Sequence, residues 1–416
     1  MLLKIPYGKG ELALNLPDSY QVDVIAPRTV AATGTSEEVV AAALDVPQGN
    51  VSLENFARAR SAAIAINDKT RPLSVEALRP LLARLEKMGL PPDAIRLLFA
   101  SGTHTPLTPD EFPALLPLDI LNRYPVYAHD CDDTAQLVHK GRTPRGTEVW
   151  INRDFDAADL RIVVGNLNPH QFMGYSGGVK GAAIGLAGRE TISQNHKMLQ
   201  LPQARLGVYD DNPVRQDVED IGRLIGVHFA LSLVLDAHKQ VVHALAGDPL
   251  AVMRAGIPLV NESFAVRTNA PYDLVIASPG GHPKDIDIHQ AQKALAHAAP
   301  ITRDGGTVIL VAACPEGSGG QVYEQWVAEL DSHTAVLERF EREPFRMGPH
   351  KAFLIARDAA RVQVRIVTQM PRDLATRLLL DAYPDLDAAL GPVLAALPPG
   401  ARIGVMPAAN STFPRT

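Results

Sequence analysis

Cysteine, positive charge and long apolar runs are all scarce in this chain, and each scarcity argues against a class of protein. Only Cys131 and Cys314 occur among 416 residues, without a Cys-x-x-Cys pair, which argues against a disulfide framework and a thiolate zinc site. The formal net charge of −6 argues against nucleic acid as a partner, because phosphate binding requires a basic face. No run reaches about 18 apolar residues, and the N-terminus has charge and glycine where a signal peptide needs its apolar core. We therefore expect a cytoplasmic protein that binds neither membrane nor nucleic acid.

Short apolar runs, each followed by a polar or glycine-containing loop, indicate the fold class. They lie at residues 62–66, 95–100, 162–164, 274–277 and 308–312. Runs without polar alternation are typical of strands that are buried on both faces of a parallel sheet. Because 416 residues exceed one ordinary core, we predict two α/β domains with largely parallel sheets. Ligands bind outside the carboxyl ends of such strands, so the active site is expected in the cleft between the domains.

The domain boundary is predicted near residue 268. The segment 256–271, GIPLVNESFAVRTNAP, precedes a new strand and shows no low-complexity linker. We expect an N-terminal cofactor-binding catalytic domain at residues 1–268 and a C-terminal α/β domain at residues 269–416. The segment 401–406 predicts a final strand. Its domain membership stays open, because the last strand of a chain can return to the first domain.

The segment 165–198, GNLNPHQFMGYSGGVKGAAIGLAGRETISQNHKM, contains the densest set of reactive side chains. Ser176, Gly177 and Gly178 precede Lys180 there. Two glycines allow successive backbone N–H groups to point at an anion, and a helix that starts just after them adds its positive end. This pattern predicts a site for an anionic cofactor. The alternative is an ordinary glycine turn followed by a surface lysine.

Three histidines have settings that suit chemistry. His104 in SGTHTP and His170 in NPHQF both follow predicted strands, where an imidazole can act as a general base. His196 lies near Lys180 on a predicted helix that Thr191 can cap. An isolated histidine on a helix is more often a hydrogen-bonded core or surface residue. The prediction of a reactive site therefore depends on the three histidines together.

Two further groups suit the binding of a carboxylate. Asp68 and Arg71 follow a predicted strand in INDKTRP, and the planar fork of Arg71 matches a carboxylate. The alternative is a structural ion pair that closes a turn. Lys293 lies three residues after Gln290 on a predicted helix face and can reach the same crevice. The alternative here is a solvated helix face.

Together these segments resemble the lactate racemase family, the nickel-pincer-dependent 2-hydroxyacid racemases and epimerases. The resemblance lies in INDKTRP, SGTH, GNLNPHQFMGYSGGVK, TISQNH and HQAQKAL, and it extends from IPYGKG through GGTVILVAACPEGSGGQVYEQW. It implies an isomerase that racemises or epimerises a 2-hydroxyacid by proton-coupled hydride transfer. In such a reaction the hydroxyl proton and the carbon-bound hydride leave together, and the planar keto acid can be reduced on either face.

The resemblance also implies a cofactor and the residues that hold it. Lys180 would carry a pyridinium mononucleotide with two sulfur groups, attached through a thioamide, and His196 would ligate its nickel. His104 and His170 would be the paired acid and base residues. Cofactor-synthesis enzymes would be partners of the chain, and protein made without them would lack the cofactor.

For the substrate, the resemblance implies that Arg71 and Lys293 bind a carboxylate or nearby oxygens. Asp68 would belong to the polar shell, and Gln290 would support the pocket. His289 stands where the family has a tyrosine. We expect it to contact substrate as well.

A second departure from the family concerns the substrate side chain. The segment 348–353, GPHKAF, replaces a region in which lactate racemase presents a tryptophan. His289 and His350 suit a longer polar or anionic side chain, as in malate or a sugar acid.

Three other functions remain open at this stage. A pyridoxal-phosphate enzyme could form a Schiff base on Lys180, but it leaves the histidines without a task. A hydrolytic zinc site of His104, His170 and His196 leaves Lys180 unexplained. A non-catalytic nickel or cofactor carrier has no use for His104, His170 and Arg71 together.

Overall fold

The computed structural model describes residues 1–27, 30–70, 75–236, 239–269 and 271–415. The chain forms two compact units. The central unit comprises Thr29–Glu262, and the terminal unit combines Met1–Arg28 with Ser263–Thr416. Each unit contains a six-stranded, largely parallel sheet together with helices. The predicted fold class of two α/β domains is therefore confirmed.

Strands and helices alternate along most of the chain. The strands are β1 (Leu2–Tyr7), β2 (Gly10–Asn15), β3 (Gln21–Val24), β4 (Ala62–Ile66), β5 (Ile95–Phe99), β6 (Val126–Ala128), β7 (Leu137–Arg142), β8 (Glu148–Asn152), β9 (Leu160–Asn166), β10 (Pro169–His170), β11 (Gly174–Tyr175), β12 (Phe229–Leu235), β13 (Val241–Gly247), β14 (Ala265–Arg267), β15 (Tyr272–Ala277), β16 (Thr302–Val311), β17 (Gln363–Val367), β18 (Asp381–Tyr383), β19 (Arg402–Met406) and β20 (Phe413–Arg415).

The helices are α1 (Ser36–Asp45), α2 (Leu78–Lys87), α3 (Leu118–Leu121), α4 (Arg153–Asp156), α5 (Lys180–Ala183), α6 (Arg189–Lys197), α7 (Pro213–Ile225), α8 (Pro249–Phe264), α9 (Ile288–Ala298), α10 (Gln321–Val327), α11 (His333–Arg342), α12 (Pro349–Ala359), α13 (Arg372–Arg377) and α14 (Leu386–Ala396). Across the described ranges, every helix falls short of the length and apolar character that a membrane crossing demands.

In the central unit the strand order is β13-β12-β9-β4-β5-β6. All neighbours are parallel except β13, which is antiparallel to β12. Strand β4 is buried along its whole length, as its uninterrupted apolar run predicted. Helix α2 packs in the core of this unit with a stripe of buried leucines, which consists of Leu78, Leu81, Leu82 and Leu85.

Helix α7 of the central unit shows how local sequence sets the ends of a helix. The Asn212 side chain caps the first turn by accepting from the Arg215 N–H, and Pro213 occupies the first helical position. Gly226 ends the helix with φ 64°, a left-handed conformation that favours glycine. Because both ends are fixed, the side chains of this helix have defined positions beneath the site.

In the terminal unit the strand order is β18-β17-β16-β15-β19-β3, and all pairs are parallel. Strand β19 pairs with β15 and β3 within this sheet. The hairpin of β1 and β2 contributes Ile5 and Leu14 to the same core.

The two units differ from the expected domain limits of 1–268 and 269–416. Residues 1–28 belong to the terminal unit, because β3 pairs with β19 at the far end of the sequence. The change of unit near residue 263 lies close to the expected boundary. Long-range strand pairing of this kind leaves no local pattern in the sequence.

Candidate active site

Three loops of the central unit lie at one edge of its sheet, because they follow the parallel neighbours β9, β4 and β5. The loop after β5 also contacts the segment after α5, since the Gly102 N–H donates to the Gly185 carbonyl over 2.9 Å. The sheet topology therefore places Asp68, His104 and His170 at a common edge.

Asp68 and His104 form a hydrogen-bonded pair at this edge. The Oδ2 atom of Asp68 lies 2.7 Å from Nδ1 of His104, and Oδ1 accepts from the Thr70 hydroxyl (2.6 Å) and N–H (3.1 Å). Burial raises the pKa of the Asp68 carboxyl, but the bonds from His104 and Thr70 outweigh burial and hold that pKa below its ordinary value. An ionised carboxylate accepts only, so the neutral imidazole carries its proton on Nδ1 and a lone pair on Nε2.

This pairing gives Asp68 a role in addition to the predicted one. The sequence placed Asp68 in the polar shell around the substrate, and in the structure both of its oxygens bond to the protein. Contact of Asp68 with substrate stays a prediction. His104 itself is half-exposed, which suits a base that must reach a ligand. Arg71, the predicted carboxylate ligand of the same loop, lies outside the described residues.

The Nδ1 atom of His170 accepts a hydrogen bond, whereas that of His104 donates one. His170 lies in β10, which forms a short antiparallel pair with β11. Its Nδ1 atom accepts from the Met173 N–H over 3.2 Å, so the neutral ring carries its proton on Nε2. The edge of the ring packs on Phe172, with ring centroids 4.7 Å apart.

His196 lies beyond the same phenylalanine. Its ring is 5.3 Å from that of Phe172, and only 8% of the residue is exposed. Burial, together with the positive charge of Lys180, lowers the pKa of His196 to about 3. The structure thus brings Lys180 and His196 into one region, and the imidazole there is neutral.

The helix that carries His196 begins differently from the prediction. The N-cap is Gly188, and α6 starts at Arg189. The hydroxyl of Thr191 instead accepts from the Trp150 N–H (2.8 Å) and donates to the Glu148 carbonyl (2.7 Å). The predicted cap was wrong, because the neighbouring strand β8 uses that hydroxyl.

The glycine turn before Lys180 bonds largely to the protein itself. The Ser176 N–H donates to the Asn168 carbonyl (2.8 Å), and the Ser176 hydroxyl accepts from the Asn168 N–H (2.9 Å). The Gly178 N–H donates to the Ser232 hydroxyl over 3.2 Å. The N–H groups of Ser176 and Gly178, which the sequence predicted to face an anion, therefore donate to protein atoms instead. Cofactor contact by Ser176, Gly177 and Gly178 stays a prediction.

The two glycines are required for close packing. Gly177 and Gly178 have φ values of 86° and 55°, which L side chains rarely adopt. A Cβ atom at Gly177 would lie 2.9 Å from Leu167, and one at Gly178 would lie 2.7 Å from Met253. The turn consequently fixes the position at which α5 begins with Lys180.

Arg215 holds this turn from beneath, and the sequence did not reveal it. Its side chain is fully buried, and Nη1 donates to the carbonyls of Tyr175 (3.2 Å) and Gly177 (3.1 Å). Nε and Nη2 donate to Glu219 over 3.0 and 2.5 Å. An arginine four residues before a glutamate is typical of an exposed helix surface, so the pattern gave no signal of a buried support.

The predicted substrate residues of the terminal unit lie on α9. Asp287 caps this helix by accepting from the Gln290 N–H over 2.7 Å. Lys293 donates to the Gln290 side-chain oxygen over 2.6 Å, so the two share one helix face as their spacing predicted. His289 packs edge-on against His350, with ring centroids 5.6 Å apart. Contact of these residues with substrate stays a prediction.

Helix α12 carries His350, which the sequence predicted to suit a polar substrate, and the buried Lys351, which the sequence did not indicate. Nδ1 of His350 accepts from the Gly348 N–H over 3.1 Å, which leaves the proton of the neutral ring on Nε2. Lys351 is 2% exposed and donates to the Gln292 side-chain oxygen over 3.4 Å. The Gln292 amide nitrogen is buried and has no partner among the described residues. This part of the terminal unit is therefore rich in donors.

Comparison with known proteins identifies the family. The family model of the lactate racemase N-terminal domain matches residues 7–207, and that of the lactate racemase C-terminal domain matches residues 267–412. Lactate racemase from Lactiplantibacillus plantarum is 30% identical over 414 residues, which is 97% of each chain. The chain belongs to the lactate racemase family.

Other relatives agree with this assignment. Lactate racemase from Thermoanaerobacterium thermosaccharolyticum is 30% identical over 81% of this chain and 80% of its own. The structure of the lactate racemase apoprotein from that organism covers 100% of both chains with a TM-score of 0.92 and 28% identity. A protein from Thermotoga maritima shares the fold, with a TM-score of 0.68 and 17% identity over 93% of this chain and 100% of its own. A further family model, described as a domain of unknown function, matches residues 118–309.

The family assignment makes this lactate racemase relative an isomerase of the racemase type. The resemblance predicted from the sequence is thereby confirmed. In the central unit the structure links Asp68 with His104, and Lys180 with His196 and its aromatic neighbours. The residues of α9 belong to the terminal unit, and their predicted contacts with substrate remain untested.

Proposed function

We propose that this racemase interconverts the stereoisomers of a 2-hydroxyacid, with a nickel-pincer nucleotide attached to Lys180 and with His104 and His170 as the proton-transfer residues. The observation that carries the proposal is the hydrogen bonding of the two histidines. His104 presents a lone pair on Nε2 because Asp68 holds its Nδ1 proton, whereas His170 presents a proton on Nε2 because Met173 donates to its Nδ1.

The side chains of Lys180 and His196 fit this cofactor. His196 is buried and neutral, and a metal ligand must be an unprotonated nitrogen. Its pKa responds to the charge of Lys180, so the attachment point and the proposed ligand share one environment. Imidazole nitrogen suits nickel. When bound, the group would supply a reversible acceptor for the hydrogen on C2 together with its electron pair.

The protein's own residues manage the proton. We propose that Nε2 of His104 accepts the hydroxyl proton of one stereoisomer, and that the Asp68 carboxylate stabilises the imidazolium that forms. Loss of this proton together with the C2 hydride leaves a planar keto acid. His170 would be the counterpart of His104 for the other stereoisomer. In the neutral ring its Nε2–H can donate a hydrogen bond to the substrate's C2 oxygen.

The terminal unit would bind the substrate's oxygens. Lys293 is the candidate for the carboxylate, and Gln290 orients its ammonium group over 2.6 Å. Arg71 remains a second candidate by the resemblance. The donors His350, Lys351 and Gln292 favour a substrate whose side chain accepts hydrogen bonds, such as malate.

A non-catalytic carrier is a weaker candidate. It would need Lys180 and His196 but not an imidazole held by a buried carboxylate. The Asp68–His104 pair therefore favours an enzyme.

The test is to produce the protein with and without cofactor-synthesis enzymes and to measure intact mass and chiral conversion. We expect a cofactor-sized mass increase localised to Lys180, and racemisation only in the modified protein. Lys180→Ala should abolish both, whereas Lys197→Ala, on the exposed end of α6, should abolish neither. Racemisation by protein that shows no mass increase would contradict the proposal.

A further inference from the structure

We propose that Asn195 and Asp217 are positioning residues that fix the tautomer of His196, so that its Nε2 atom presents a lone pair to the metal. The inference rests on the proposed function in one respect, the identity of His196 as a ligand. The hydrogen bonds that carry it lie within the central unit.

The side chain of Asn195 has its orientation set by two acceptors. It is fully buried, and its amide nitrogen donates to Asp217 Oδ2 (2.9 Å) and to the Val214 carbonyl (3.0 Å). These two bonds use both hydrogens of the amide. The amide oxygen must then point the other way, and it lies 3.2 Å from Nδ1 of His196.

An amide oxygen can only accept a hydrogen bond, so the nitrogen that faces it must donate. The neutral imidazole of His196 therefore carries its proton on Nδ1. The lone pair is left on Nε2, the nitrogen that is not committed to Asn195.

Asp217 in turn accepts hydrogen bonds from a third element, the turn between β7 and β8. Its carboxylate is fully buried and accepts from the hydroxyls of Thr143 (2.6 Å) and Thr147 (2.9 Å), which lie between β7 and β8. With the Asn195 amide it receives three hydrogen bonds. Helices α6 and α7 and the β7–β8 turn are thereby joined through one buried carboxylate, which leaves Asn195 no alternative orientation.

This network matches the way in which proteins orient metal ligands. A ligating histidine usually donates its second N–H to a carboxylate or a carbonyl, which fixes the ring and its tautomer. Here the acceptor is an amide oxygen, and the carboxylate lies one residue further away. The arrangement sets the tautomer without placing a negative charge in direct contact with the imidazole.

The test uses the cofactor-free protein labelled with ¹⁵N-histidine. Long-range ¹H–¹⁵N correlation spectra distinguish a ring that is protonated on Nδ1 from one that is protonated on Nε2. We expect the Nδ1–H pattern for His196 in the wild type. A wild-type spectrum with the proton on Nε2 overturns the inference without any variant.

Two variants and a control sharpen the test. Asp217→Asn offers a donor to Asn195, which lets its amide rotate, so the His196 pattern should become mixed or change to Nε2–H. Asn195→Leu removes the acceptor, and the Nδ1–H fraction should fall. Thr147→Val removes one hydroxyl from Asp217 but keeps the bond to Asn195, so the pattern should stay that of the wild type. Unchanged patterns in the folded Asp217 and Asn195 variants would refute the positioning role.

A second readout separates this inference from the proposed function. In protein whose Lys180 carries the cofactor mass, Asp217→Asn should weaken nickel retention on dialysis by about 10- to 100-fold, the usual effect of losing such a partner. If Lys180 is never modified, the proposed function fails while the tautomer result stands. If Lys180 is modified but nickel retention is unaffected, the positioning inference fails and the racemase proposal survives.

Discussion

Asp68 and His104 are joined by a 2.7 Å hydrogen bond between a buried carboxylate oxygen and a half-exposed imidazole. The bond fixes the proton of the neutral His104 ring on Nδ1, whereas the Met173 N–H fixes the proton of the neutral His170 ring on Nε2. The two imidazoles proposed for proton transfer thus differ in which ring nitrogen carries the proton before substrate binds. In the neutral state His104 thus offers the substrate's hydroxyl an acceptor, and His170 offers its C2 oxygen a hydrogen-bond donor.

Asp68→Asn should impair this arrangement. An amide offers a hydrogen to Nδ1 of His104, so the ring proton moves to Nε2 and the base is lost. We expect kcat to fall by about 10²- to 10⁴-fold, with the cofactor content of Lys180 unchanged. Chiral assays of both stereoisomers, normalised by intact mass, measure the effect.

The control for this prediction is the neighbouring residue. Lys69 is exposed and pairs with Glu111 at 2.6 Å, so Lys69→Gln should leave kcat nearly unchanged. Equal losses in the Lys69 and Asp68 variants would show that the loop as a whole, rather than the carboxylate, determines activity.

Arg215→Met should destabilise the turn that precedes Lys180. The substitution leaves Glu219 buried without its ion-pair partner and removes the donors to the carbonyls of Tyr175 and Gly177. We expect a loss of about 3–5 kcal/mol in the free energy of unfolding, measured with urea. On the same helix, Arg223→Met removes an exposed arginine and should cost at most about 1 kcal/mol. A comparable small loss for Arg215→Met would mean that the buried pair does not stabilise the turn.

Gly178→Ala should be destabilising for two reasons. The residue has φ 55°, and its Cβ would lie 2.7 Å from Met253. Strain and overpacking together predict a loss of about 1–3 kcal/mol by thermal or urea unfolding. Gly391 in α14 has no atom within 4 Å of such a Cβ apart from its chain neighbours, so Gly391→Ala should change stability by at most about 1 kcal/mol. The prediction fails if Gly178→Ala costs no more than Gly391→Ala.

The burial of His196 predicts a pH dependence of stability in the cofactor-free protein. Burial and then the charge of Lys180 lower its pKa from 6.5 to about 3. As the pH falls below 6.5, the unfolded chain takes up a proton that the folded protein refuses, so this residue makes the free energy of unfolding decrease until about pH 3. His196→Phe should lack that decrease. Urea unfolding over this pH range should show the variant gaining stability relative to wild type, and parallel profiles would contradict the prediction.

Much of the fold followed from the sequence, because uninterrupted apolar runs have few stable environments other than a buried parallel strand. The segment 62–66 coincides with β4, and the run at 95–100 forms β5. The placement of residues 1–28 did not follow, since β3 pairs with β19, a strand near the other end of the chain. Burial is encoded locally, whereas the choice of a distant strand partner is not.

Some residues of the candidate site were predictable from the sequence, whereas others were not. His104, His170, Lys180 and His196 were predicted, because strand ends and short family motifs mark them. The hydrogen-bond partners that orient these residues were not predicted, because those contacts form only in the folded structure. The hydrogen bond of Asp68 to His104 was not predicted, although both residues were named. Side chains that orient a reactive group have no spacing rule of their own.

The donors of the terminal unit lead to a prediction about substrate preference. His350 presents Nε2–H, the buried Lys351 donates to the Gln292 side-chain oxygen, and His289 packs against His350. A methyl side chain, as in lactate, offers these donors no acceptor, whereas a second carboxylate would accept hydrogen bonds from them. We expect a higher kcat/KM for malate than for lactate.

His350→Phe should reduce the ratio of kcat/KM for malate to kcat/KM for lactate by about 10-fold or more, because it removes a donor and adds apolar surface. His333→Gln, in α11 of the same unit, should leave the ratio unchanged. A wild-type preference for lactate that the His350 variant does not alter would show that these donors serve the fold rather than the substrate.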